Sequence, residues 1–373
     1  MAVKLLYPKK RQNTAKVTNL EGRNLNELFT KGKKFFEELK PIDKIALIYH
    51  MDMDGVCSAA LIHKTLEKLN VKNGTNISIS KNIVSTYDNV ENDLKTLSDF
   101  NKIIIVDIGV DTQIKNQQKK TSRSILLIDH HIIKRDLNSK SVIFINPRFG
   151  NEETYQPAAY IIYKLLSGLV DMKDVEWIAV LGIVSDLGYE DCIDVLKDWV
   201  KVKKKDELFV TRPGQISYSL LGASYELGFE KTLKILVEAK SMGDLEENEE
   251  VSEAFEKYER VFEEGKKEFW KNAEIVGNII FSVIKPKYKR LGSPIINRIS
   301  FERPENIIFL FEKRDGEYKI GVRHQSGKTD LGKLMKKCCG GGGHKQAAGG
   351  MIRIKDLEKF KKCVIKELKS RVR

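Results

Sequence analysis

Five short apolar runs rich in β-branched residues recur between residues 44 and 147, and helix-forming stretches separate them. The runs are KIALIYH (44–50), ISISKNIV (77–84), KIIIVDI (102–108), SILLIDH (124–130) and SVIFINP (141–147). Near-continuous apolar strands need cover on both faces, which a parallel sheet flanked by helices provides. The stretch DGVCSAALIHKTLEKLN between the first two runs has helical spacing, with Asp54 as its expected N-cap. The pattern predicts an α/β fold with a doubly wound parallel sheet. Ligands of such sheets bind at the carboxyl ends of the strands.

Three of the runs end in residues with metal-ligand chemistry. The first ends at His50 with Asp52 and Asp54 just beyond, the third carries Asp107, and the fourth ends in Asp129 and His130 with His131 next. Asp186 closes the apolar helical stretch EWIAVLGIVSDLG. In a parallel sheet these converge on one edge. Two carboxylates about 4 Å apart repel by roughly 4 kcal/mol at an effective dielectric near 20. Four of them need cations to stay ionised together. Two divalent ions would offset Asp52, Asp54, Asp107 and Asp186, with His50 and His130 as neutral donors. Mixed imidazole and carboxylate ligands suit Mn²⁺, with Mg²⁺, Co²⁺ or Zn²⁺ as alternatives.

Beyond residue 150 the pattern is helical to about residue 275, and the stretch 244–264 is strongly acidic. That stretch is either a helix connecting domains or a solvated helix face. Strand patterns return in VGNIIFSVI, NIIFLFE and EYKIGVRH. A helix over DLGKLMKKC, the run GGGGHKQAAGG, a strand MIRI and a last amphipathic helix follow. We expect a metal-binding domain over 1–200, a helical insert over 201–275 and a smaller α/β domain over 276–373.

The four glycines 340–343 leave backbone N–H groups free to approach a phosphate. Arg323 and His344 add donors beside them, and a guanidinium binds phosphate in a fork. SGKT at 326–329 lacks the glycine a P-loop needs five positions before Gly327, where Val322 stands. An ATPase is therefore not expected. His63 is expected to be a surface or packing histidine.

A formal net charge of +13 favours a polyanionic partner, nucleic acid above all. The five cysteines are odd in number and contain no C-x-x-C pair, so reduced thiols in packing roles are expected. The first residues lack the apolar stretch of a signal peptide and no run approaches a membrane span. A cytoplasmic location without membrane contact is the resulting expectation.

HMDMDG, VDIG, IDHH and SDLG resemble the four motifs of the DHH phosphoesterases, whose Asp-His-His stands here as Asp129-His130-His131. VRHQSGKTDLGKLMKKCCGGGGHKQAAGG resembles the DHH-associated C-terminal domain of the type with a GGGGH loop. The resemblance runs from about residue 44 to 355. It implies that His50 and Asp52 bind one metal, that Asp54, His130 and Asp186 bind a second, and that Asp107 bridges them. It further implies His131 beside the scissile phosphate, with Asp129 orienting the ligand histidine. Arg323, His324, Gly341, Gly342, Gly343 and His344 would then meet the substrate. The activity implied is a Mn²⁺-dependent RecJ-like exonuclease on single-stranded DNA or RNA. A nanoRNase or pAp phosphatase acting on short oligonucleotides, or a non-catalytic replication or repair scaffold, are the alternatives. Resemblance to archaeal relatives of RecJ suggests a replication or repair protein as partner.

Overall fold

The computed structural model describes residues 24–110, 123–288, 291–343 and 345–369. The chain divides into two compact units, one ending at Ala254 and the other beginning at Phe255.

In the first unit, α1 (Leu25–Glu37) precedes β1 (Ile45–His50), and α2 (Met53–Asn73) joins β1 to β2 (Ile79–Ser85). After α3 (Val90–Lys95) come β3 (Lys102–Val106), β4 (Ser124–Ile128) and β5 (Val142–Ile145). All neighbouring strands are parallel, in the order β2-β1-β3-β4-β5. The five apolar runs of the sequence are thus the five strands. Ile45, Leu47, Ile48, Ile103, Ile104 and Ile105 are fully buried, each such side chain contributing roughly 1.5–3 kcal/mol. The strand order reverses between β1 and β3, and that switch point is where such sheets bind ligands.

The helices α4 (Ala158–Leu166), α5 (Glu176–Ser185), α6 (Ile193–Leu196), α7 (Arg212–Leu227), α8 (Phe229–Glu238) and α9 (Met242–Glu246) follow. α2 packs on α4, α5 and α8. Its buried Cys57, Ser58, Ala59 and Ala60 are small, which lets those helices approach closely. One expectation is corrected here. Asp52, not Asp54, caps α2, accepting from the Gly55 N–H at 2.9 Å. The helix starts one residue before Asp54, which leaves that carboxylate free to reach elsewhere.

α10 (Glu249–Lys271) contains most of the acidic stretch. It is not a wholly solvated helix, because Val251, Ala254, Tyr258, Phe262 and Phe269 recur at helical spacing and are buried.

The second unit holds a six-stranded mixed sheet in the order β10-β11-β9-β8-β7-β6. Its strands are β6 (Glu274–Val276), β7 (Ile279–Ile284), β8 (Ile307–Lys313), β9 (Glu317–Arg323), β10 (Gly342–Gly343) and β11 (Ala347–Arg353). α11 (Gly292–Glu302), absent from the sequence expectations, packs on β8 and β9. α12 (Leu331–Cys339) and α13 (Leu357–Lys369) carry Leu334, Met335, Phe360 and Val364 into the core, which also holds Phe281, Phe309 and Phe311. The glycine run does not form a free loop. Gly342 and Gly343 pair antiparallel with Gly349 and Ala348 as a short edge strand. The cysteine expectation fails in this unit. Cys338 and Cys363 form a disulfide between α12 and α13, because two neighbouring helices bring together thiols 25 residues apart. Cys57 and Cys192 are free and buried. Among the described residues no helix is long and apolar enough to cross a membrane.

Candidate metal centre

His50 ends β1, and Asp52 and Asp54 follow it at the entry to α2. A side chain at Gly55 would run into the His50 carbonyl, so this tight exit from the strand requires glycine there. Asp107 follows β3 with φ +60°. That left-handed conformation costs a side-chain-bearing residue roughly 1–2 kcal/mol, and Asp and Asn tolerate it best. The Asp107 N–H donates to the Ile128 carbonyl at 2.9 Å, so the next strand holds the turn in place. His130 leaves β4, and Asp186 caps the C-terminus of α5 just before Leu187, which also has positive φ (56°). Backbone strain of this kind gathers at functional sites.

These elements bring the side chains together. Ligand atoms of His50, Asp52 and Asp107 lie within 4.8 Å of one another, as do those of Asp54, His130 and Asp186. Asp107 joins the two groups: its Oδ1 is 3.1 Å from His130 Nε2 and its Oδ2 3.6 Å from His50 Nδ1. His130 Nε2 is also 3.5 Å from Asp186 Oδ2 and 3.9 Å from Asp54 Oδ2. His50 Nδ1 pairs with Asp52 Oδ2.

Asp54 has a second task that spacing did not reveal. Its Oδ2 and Oδ1 accept from the N–H groups of Ala158 and Ala159 at 2.7 and 2.9 Å. It therefore caps α4 and ties that helix to the cluster.

The resemblance assigns Asp129 to the ligand histidine, and the structure corrects this. Asp129 Oδ1 is 2.7 Å from Nδ1 of His131, two residues on. In an extended chain residues i and i+2 share a side while the one between points away, so Asp129 orients His131 and not His130. Two further residues escaped the sequence reading. The Tyr155 hydroxyl donates to Asp186 Oδ2 at 2.6 Å and to its carbonyl at 2.9 Å. Arg148 Nε donates to the His130 carbonyl at 2.7 Å. Arg148 sits in the short 3-10 turn Pro147–Phe149 after β5 and Tyr155 in the loop beyond it, where no periodicity marks them.

The electrostatics follow from burial and crowding. Burial opposes a charge on His50, but Asp52 and Asp107 outweigh it and push its pKa up to about 11. At His130 burial again opposes, and Asp107, Asp186 and Asp54 push it up to about 10. Burial works to raise Asp107, yet the two imidazoles hold it well below the usual carboxylate range. Asp54 is raised well above that range by burial and the charge of Asp107. Burial takes Asp186 up to about 6. Without a cation, protons on imidazole and carboxylate must balance the charge. Asp107 Oδ2 and His130 Nδ1 are buried without hydrogen-bond partners among the described residues. An orphaned buried carboxylate oxygen between two imidazole–carboxylate groups fits a divalent cation.

In the second unit, Arg323 Nε donates to Asn297 Oδ1 at 2.7 Å and Nη1 to the Val322 carbonyl at 2.9 Å. With Gly342 and Gly343 it lines a cavity of about 260 Å³. The glycines differ in purpose. A side chain at Gly341 would strike the Gly349 carbonyl, and one at Gly343 would strike Ala348, whereas one at Gly342 would touch nothing. His324 is 3% exposed, lies 2.7 Å from Ser326 Oγ through Nε2, and does not line the cavity. His344 lies outside the described residues. His63 is within 3.0 Å of Asn82 Oδ1 and apart from both sites.

Residues 44–183 match the DHH family N-terminal domain, and residues 277–370 match the DHHA1 domain. The chain belongs to the DHH family. No curated protein matches it. Among solved structures it resembles RecJ of Thermus thermophilus in complex with Mn²⁺, at TM-score 0.65 and 16% identity. That match covers 94% of this chain and 55% of RecJ, so the chain spans about half of that relative. The pGpG-specific phosphodiesterase PggH of Vibrio cholerae matches at TM-score 0.53 and 16% identity, covering 88% of this chain and 99% of PggH. CDC45 of Entamoeba histolytica matches at TM-score 0.58 and 10% identity, covering 92% and 98%. At these identities the likeness establishes the DHH phosphoesterase fold.

Proposed function

We propose that this DHH-family protein is a metal-dependent phosphodiesterase, a RecJ-like exonuclease that hydrolyses single-stranded DNA or RNA. The observation that carries the reading is Asp107, buried between two groups of ligand atoms with one oxygen unpartnered. His50 and Asp52 would hold one divalent ion, Asp54, His130 and Asp186 would hold a second, and Asp107 would serve both. Mn²⁺ is the preferred ion, with Mg²⁺ or Co²⁺ as substitutes. When bound, such ions supply positive charge against phosphoryl oxygens and lower the pKa of water.

The protein's own groups do the rest. His131, its Nδ1 fixed on Asp129, presents Nε2 to a non-bridging phosphoryl oxygen. Tyr155 fixes the Asp186 carboxylate by its hydroxyl bond. In the DHHA1 domain Arg323, beside Gly342, offers donors to a substrate phosphate. A polymer substrate is supported by the net charge of +13, since each neutralised phosphate releases counterions.

A second reading, a nanoRNase or pAp phosphatase, is supported by the size of the 260 Å³ cavity, which suits one nucleotide. A non-catalytic replication or repair scaffold is disfavoured by the complete donor set. An assay with Mn²⁺ across long single-stranded DNA and RNA, oligonucleotides of a few residues, pAp and a cyclic dinucleotide tests the order. The exonuclease reading expects long single strands to be degraded fastest. Turnover of pAp alone would reverse it, and metal binding without any turnover would favour the scaffold.

A further inference from the structure

On the sheet of the second unit, strand register lays three glycines in a row. Gly321 of β9 faces Gly349 of β11, and Gly349 faces Gly342 of β10. Leu310 of β8 stands opposite Gly321 and ends the row. Directly opposed residues project from one face of a sheet, so three adjacent strands present bare backbone there. At about 4.8 Å per strand the floor is roughly 10 Å wide. A methyl group at Gly342 would touch no protein atom, and one at Gly321 would come within 3.7 Å of Ile296 alone. Packing of the protein on itself explains neither glycine.

Above this floor lies the cavity of about 260 Å³, walled by Ser293 and Ile296 of α11. It is smaller than the ~300–1,000 Å³ of drug-sized pockets. Two residues along the strands from the glycine row, in opposite directions, stand Arg323 and the pair Glu312–Lys319. Glu312 is 5% exposed and lines the cavity. It is 3.7 Å from Arg314 Nη2 and makes no hydrogen bond among the described residues. An ionised carboxylate only accepts, through two oxygens.

We propose that Glu312 reads the Watson–Crick edge of a guanine base lying on the glycine floor, with Arg323 on the phosphate side. The inference rests on the phosphodiesterase reading above and adds a base preference to it. Guanine offers N1–H and an N2 amino hydrogen side by side, one for each carboxylate oxygen. Adenine and cytosine place a ring lone pair beside their amino group, and uracil flanks its single N–H with two carbonyls. Each of those turns a lone pair toward Glu312. The bare floor lets a purine plane lie against backbone, with Ile296 at the rim of the floor rather than over it.

The test uses the full chain with Mn²⁺ and initial rates on pGpG, pIpI, pApA, pCpC and pUpU. Calorimetric binding of GMP, IMP and AMP without metal provides a readout independent of turnover. A site built to meet a base edge should favour pGpG by at least ~10-fold. pIpI, which lacks the N2 amine, should fall toward pApA. Glu312→Gln keeps the side chain's size and should erase the preference by lowering kcat/KM for pGpG. Gly321→Ala should weaken GMP binding without shifting the unfolding temperature. Equal rates on all five substrates, with GMP and AMP bound alike, would overturn the base reading and leave the phosphodiesterase standing. Selective GMP binding with no turnover of any substrate would do the reverse.

Discussion

At the carboxyl edge of the first sheet, strand ends and the end of α5 deliver four aspartates and two histidines to one cluster. On the second sheet the register strips side chains away, leaving Gly321, Gly349 and Gly342 in a row. One site is made by concentrating charge and the other by exposing backbone. The first is in electrostatic debt to a cation, and its imidazoles carry protons in the ion's place. The second carries charge only at its ends, Arg323 at one and the pair Glu312–Lys319 at the other. The contrast predicts that the first responds to pH and metal, and the second to the volume of single side chains.

The largest effect should come from Asp107→Asn, which keeps a residue suited to positive φ while removing the charge shared by both groups. Losing several kcal/mol of charge stabilisation, at about 1.4 kcal/mol per factor of ten, lowers activity about a thousandfold. Calorimetry should show weakened Mn²⁺ binding. Retained activity would break the idea that one carboxylate serves both halves. Next, Tyr155→Phe removes the hydroxyl on Asp186, and losing such a supporting hydrogen bond lowers metal affinity by about 10–100-fold. Unchanged Mn²⁺ affinity would reduce Tyr155 to a packing residue.

A stability pair sharpens the contrast on the glycine side. Gly341→Ala drives a methyl into the Gly349 carbonyl, and overpacking of this kind costs about 1–3 kcal/mol. Gly342→Ala meets open space and should leave the thermal midpoint close to that of the parent. Equal midpoints for the two variants would contradict the packing described for β10.

The smallest effect concerns protons. His50 and His130, with pKa values near 11 and 10, are protonated at neutral pH in the metal-free protein. Coordination requires neutral imidazoles, so binding expels protons and affinity rises with pH. The sign for the metal-free fold is opposite. These raised values contribute stability that is complete below the ordinary histidine value and lost as pH rises through about 10–11. Mn²⁺ titrations in buffers of different ionisation heat should give different apparent enthalpies. Buffer-independent heats would argue against protonated imidazoles in the cluster.

Much of this molecule is legible in its sequence because local patterns set strands and helices. The five β-branched runs, the acidic residues at their ends and the helix closing at Asp186 are all features of period and spacing. A parallel sheet then brings strand ends to one edge, so the metal cluster could be anticipated. What chain-local reasoning could not supply depends on contacts between distant residues. Asp54 reaches the N-terminus of α4 some hundred residues on, Tyr155 meets Asp186 from an unpatterned loop, and Cys338 finds Cys363 across two helices. Asp129 chose His131 over His130 through local backbone direction. The glycine floor exists only through cross-strand register, since the spacing of glycines 321, 342 and 349 along the chain does not show that they face one another. Composition and periodicity act along the chain, and they determined the elements and their chemistry. Register, capping and pairing act across it, and only the folded packing decided which groups meet.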